Sequence, residues 1–183
     1  MIDAELRRAV LGSFPPGTSL AVVAAAEKAY APLLEARADS ATSLVALTGG
    51  TISALGSVQH VLLEGIDDVE EPAVLLREIH AGAPAARLFV LVANAAYLRA
   101  LAAFFDGTPL AQGHPLVEAE LEPLISAAGW RIVAINPVPD ESIPGPESLP
   151  FELASPSICF KIADPAMLQR ARIRAFIVVA DRA

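Results

Sequence analysis

Along this chain short apolar runs alternate with stretches of helical period. Leu20 to Ala24, Ser43 to Thr48, His60 to Glu64, "ARLFVLVAN", "WRIVAINPV" and "IRAFIVVA" read as strands bounded by turn-forming residues. Between them, Glu27 to Arg37, the segment from Pro72 to Gly82, "AAYLRALAAFF", Val117 to Ala128 and Pro165 to Arg170 have the spacing of helices. Residues 1–14 predict an N-terminal helix with Leu6, Val10 and Leu11 on one side, and "SFPPGTS" ends it because Pro15, Pro16 and Gly17 do not continue a helix. Strands alternating with helices predict an α/β fold of Rossmann-like, doubly wound form, with a mainly parallel sheet covered on both faces. Residues 138–157, with prolines at 139, 144, 146, 150 and 156, are expected to be a loop before the last helix and strand.

Composition narrows the function classes. The 183 residues suit a single domain, 1–183. A hydrophobic fraction of 54% and a mean hydropathy of +0.51 leave apolar surface for a partner. No apolar run reaches the roughly 18 residues that span a bilayer, and "MIDAELRRAV" lacks the pattern of a signal peptide. The expectation is therefore a cytoplasmic protein that does not engage a membrane. A net charge of -8 argues against nucleic acid as a partner. The densest basic stretch, "QRARIRA", is expected to be a solvated edge. Cys159 is the sole cysteine, which excludes an intrachain disulfide and a cysteine-based zinc cluster and predicts a small core residue.

Candidate chemistry is sparse. His60, His80 and His114 do not share a metal-ligand spacing on any one predicted helix. Gly49 and Gly50 lack the lysine and hydroxyl of a phosphate loop. The acidic run Asp67, Asp68, Glu70 and Glu71 is explained as the start of the helix that follows. No catalytic residue and no metal site is assigned on these grounds.

One ordered series is more specific. Glu71-Pro72, Leu75 to Glu78, Ala93-Asn94, Gly113-His114 and the turn Ala128 to Trp130 follow one another in the order found in the second half of class I S-adenosylmethionine (SAM)-dependent methyltransferases. Residues 15 to 136 and the last strand resemble that family, in its small-molecule and sugar-methylating branch. The resemblance places the family's glycine-rich cofactor loop after Leu20 to Ala24. Its acidic strand position then falls at Val22, its three glycines at Ala24, Ala26 and Lys28, and the ribose-binding acid of the second strand at Thr48. Lys28 either blocks the methionine end of a cofactor or points to solvent.

Only residues 49–59 separate the second and third strands, where the family has a further strand with its helices. One outer strand is therefore expected to be missing, and the adenine pocket with it. The resemblance implies a domain that has lost SAM binding and acts in binding or assembly, with no cofactor expected. The alternative is an active methyltransferase holding SAM in an atypical site. Asn94 and His114 are the possible ligand-side residues, and any small-molecule ligand is expected at the carboxyl ends of the strands. The exposed edge "SLVALT" predicts a homodimer or another protein partner.

Overall fold

A computed structural model describes residues 2–25, 27–36, 42–46, 52, 55–108 and 115–183. In chain order the elements are α1 (Ala4–Gly12), β1 (Leu20–Ala24), α2 (Glu27–Glu35), β2 (Thr42–Ala46), β3 (His60–Glu64), α3 (Pro72–Gly82), β4 (Arg87–Ala93), α4 (Leu98–Phe105), α5 (Glu118–Ala127), β5 (Trp130–Pro139), β6 (Phe151–Ala154), β7 (Cys159–Ile162), α6 (Pro165–Ala171) and β8 (Ile173–Arg182).

Six strands form one sheet in the order β2-β1-β3-β4-β8-β5. β2, β1, β3 and β4 run parallel to their neighbours. β8 enters between β4 and β5, antiparallel to both. This is the mainly parallel α/β architecture expected from the alternation of periods, and among the described residues no strand lies outside β2.

The pleat of β1 explains how the sheet is covered. Ala21 and Val23 point to one face, where they join Val61, Leu63, Val90 and the apolar sides of α3 and α5. Leu20, Val22 and Ala24 point to the other, against Leu6, Val10 and Leu11 of α1 and Tyr30 of α2. All five residues of β1 are fully buried, as a strand covered on both faces must be. α1 starts where the Asp3 carboxylate accepts the Leu6 backbone N–H at 2.8 Å. Burying its three apolar side chains, at about 1.5–3 kcal/mol each, seats this helix beside the carboxyl ends of β1 and β3. On the opposite face, the Trp130 indole Nε1 donates to the Leu76 carbonyl at 3.0 Å and ties β5 to α3.

The Pro-rich segment departs from expectation. Its end forms β6, which pairs antiparallel with β7 just beyond it as a hairpin, Phe151 opposite Ile162 and Ala154 opposite Cys159. Its prolines sit in the flanks and in the turn, where no ladder donor is needed. Phe151 and Leu153 pack with Tyr97, Leu98, Ile143 and Leu168 in a separate apolar cluster. Cys159 lies on this hairpin and is exposed, so it is not the core residue that its type suggests.

Candidate functional site

A cavity of about 680 Å³ opens at the carboxyl ends of the parallel strands. Ala25 after β1, Glu64 and Gly65 at the end of β3, and Ala93 and Asn94 at the end of β4 form its floor. α1 supplies one wall through Arg7, while Tyr97, Arg99, Asp140 and Arg174 line the other. Open parallel sheets collect ligands at this edge, because loops diverge there and leave backbone groups free.

Three polar residues are buried among the described ones, Glu64 at 5% exposure, Asp67 at 6% and Asn94 at 4%, and all three line this cavity. Glu64 closes β3, directly across the ladder from Ala24. Its carboxylate accepts from Arg7 Nε at 3.1 and 3.0 Å, from Arg7 Nη2 at 2.5 Å and from the Tyr30 hydroxyl at 2.5 Å. Burial, reinforced by the Glu64 charge, pushes the Tyr30 phenol far above its ordinary range, so it stays a donor. Asn94 is also satisfied within the chain. Its Nδ2 donates to the Ile173 carbonyl at 2.8 Å, and its Oδ1 accepts from the Ala96 N–H at 3.1 Å.

Asp67 differs from both. Gly65, in the left-handed region at φ 87°, turns the chain sharply out of β3 into a short 3-10 turn, Ile66–Asp68. The turn carries the Asp67 side chain into the cavity wall, where no other side chain among the described residues hydrogen-bonds to it. Burial pushes its carboxyl up to about 6, against its own backbone N–H and with Asp68 and Glu64 adding repulsion; the weakest influence is the chain's amino terminus, which opposes the rise. Only the end of the acidic run meets the start of α3, where Glu71 is the N-cap residue, while Asp67 and Asp68 belong to the turn before it. That helix begins at Pro72 with no acidic residue in its first turn and no side-chain cap from Glu71.

On the far wall Asp140 accepts from Tyr97 Oη, from Arg99 Nε at 3.1 Å and from Ser142. Burial raises this carboxyl, and the hydrogen bonds from Ser142 and Tyr97 outweigh it, bringing Asp140 down to about 2. Arg174, within the basic stretch expected to be solvated, is instead partly buried at the cavity and donates to Asp3 at 3.0 Å.

Of the positions singled out in the sequence, Val22 and Ala24 are fully buried and offer no polar group. Lys28 is exposed on α2 and does not line the cavity. Asn94 lines it, with its amide engaged as described. Ala26, Thr48 and His114 lie outside the described residues. Arg7, Tyr30, Tyr97, Arg99 and Asp140 are not marked by any local motif, while Asp67 and Arg174 are visible only as parts of charged runs that read as a helix start and a solvated edge. A lone glutamate ending the otherwise apolar "HVLLE" was the available signal for Glu64. Among the described residues no group of three or more His, Cys, Asp or Glu side chains is placed to hold a metal ion, and no helix is long and apolar enough to cross a membrane.

No family model and no curated protein matches the chain. Solved structures do. A SAM-dependent methyltransferase from Archaeoglobus fulgidus superposes with a TM-score of 0.63 at 12% identity, over 97% of this chain and 94% of that one. A chain of the Haloferax volcanii complex between a methyltransferase activator and a methyltransferase gives 0.60 at 14%, over 96% and 87%. Magnesium protoporphyrin IX methyltransferase from Synechocystis, with bound S-adenosylhomocysteine (SAH), gives 0.52 at 14%, over 98% and 82%. Likeness at these identities is a likeness of fold, and the sheet order, the inserted antiparallel strand and the crevice above β1, β3 and β4 together give this chain the Rossmann-like fold of the class I SAM-dependent methyltransferases.

Proposed function

We propose that residues 1–183 form one methyltransferase-like domain that binds a small molecule in the crevice above β1, β3 and β4 but has lost the family's grip on SAM. The Arg7, Glu64 and Tyr30 cluster carries this reading. Glu64 is the carboxylate next to the β1 loop, and four hydrogen-bond contacts from its own chain already engage it. β1 has no carboxylate of its own, since Val22 and Ala24 are apolar and buried. A cofactor arriving at this loop finds no free carboxylate acceptor on the strand, whose residues are all apolar and fully buried. Melting curves with added SAM and SAH test the proposal, because a ligand that binds only the native state must raise the transition by mass action. Unchanged curves are expected. A dose-dependent rise would replace this reading with that of an active enzyme.

The active alternative has its own support in Asp67. A carboxyl held near 6 inside a cavity is suited to moving a proton at neutral pH, as a methyl acceptor requires. The same SAM titration decides between the two readings.

Assembly belongs to the proposal as well. β2 forms an edge of the described sheet, and its side chains Ser43, Leu44 and Val45 carry no charge to discourage strand pairing. A homodimer formed through this edge, in the cytoplasm, is the expected state. The activator complex among the structural neighbours is a precedent for a protein partner on this fold.

A further inference from the structure

Among the described side chains, charge at the cavity is not balanced. Asp3, Glu64, Asp67, Asp68 and Asp140 face Arg7, Arg99 and Arg174, and each arginine is already paired, with Glu64, Asp140 and Asp3 respectively. Asp67 remains, buried to 6% exposure and without a hydrogen-bonded side-chain partner among the described residues, with Asp68 next to it. A buried carboxylate in that state is costly unless a cation meets it. The described residues place no further His, Cys, Asp or Glu set for a metal ion there. The wall beyond is built from Ala93, Ala95, Ala100 and Ala103, which suits an apolar body.

We propose that the cavity takes an organic amine, its ammonium seated on Asp67 and its apolar remainder against the alanine wall. This rests on the reading of the crevice as a ligand site. An ammonium suits the site because it supplies several donors and displaces no existing pair. A neutral alcohol of the same shape fills the same space and leaves the carboxylate without its countercharge.

The test titrates the intact chain at millimolar concentration with tryptamine and benzylamine, and in parallel with tryptophol and benzyl alcohol, following melting temperature and backbone amide shifts. The amines are expected to bind at least about tenfold more tightly than the alcohols, with the largest shifts at residues 65–68. Asp67→Asn is expected to abolish the preference, while Arg99→Gln keeps it. Should Asp67→Asn fail to fold, the wild-type preference and the location of its shifts decide alone. Equal binding of amines and alcohols overturns the amine proposal and leaves the ligand site standing. Absence of amine binding, or a preference that survives Asp67→Asn, overturns it too. A SAM-dependent melting rise is the separate result that removes the underlying reading.

Discussion

The guanidinium of Arg7 on α1 straddles the carboxylate of Glu64, fifty-seven residues later at the end of β3, with Nε bonded to both oxygens at 3.1 and 3.0 Å. Both side chains are largely buried, at 14% and 6% exposure. Breaking one side of such a pair strands the other charge and costs more than the pair itself contributes. Arg7→Ala is expected to lower unfolding stability by about 2–3 kcal/mol, somewhat less than a fully buried pair because Tyr30 still donates to Glu64. The double variant Arg7→Met with Glu64→Gln is expected to recover part of that loss. Urea unfolding of the two variants against wild type measures both effects, and a double variant no more stable than Arg7→Ala would show that the stranded Glu64 charge is not what the single substitution costs.

Asp67 makes the opposite prediction, a gain. Its carboxyl titrates near 6 when folded, above its ordinary value of 3.8, so the folded state holds the proton more tightly. Stability from this group is complete below about 3.8 and is lost as pH rises through about 6. Asp67→Asn removes that loss, and is expected to stabilise the chain by about 2 kcal/mol above pH 7 with little change near pH 4. Chemical unfolding of both proteins across that range checks it; a pH-independent difference would mean that the carboxyl does not titrate as its burial implies.

Much of this was legible in the sequence, and the reason is local. β1, β3 and β4 are apolar enough on both faces to be read as sheet centre without knowledge of their neighbours. The apolar character of Val22 and Ala24 was equally visible, being a matter of residue type within one short strand. The hairpin of β6 and β7 was hidden because its prolines, which flank the strands, look like breakers of the whole segment. The site was hidden for a different cause. Arg7, Glu64 with Asp67, Asn94, Asp140 and Arg174 come from five separated stretches, and only the sheet order brings them to one crevice. Asp67 and Asp68 even satisfied a local rule for helix starts, which the left-handed Gly65 and the intervening turn set aside.

The sheet edge gives a prediction about assembly. If two copies join through β2, a charge on that strand must weaken the contact. Val45→Lys is expected to shift the protein toward monomer in light scattering at tens of micromolar, and to lower stability as well because Val45 packs against the main core cluster. A wild-type protein that is already monomeric at that concentration would contradict the dimer.

Direct calorimetric titration of the purified chain with SAM and with SAH decides whether this methyltransferase fold has kept its cofactor. With no carboxylate on β1 and Glu64 held by Arg7 and Tyr30, the expected result is no saturable heat for either ligand up to millimolar concentration. A saturable isotherm at micromolar SAM, competed by SAH, would contradict it and favour the alternative of an active methyltransferase.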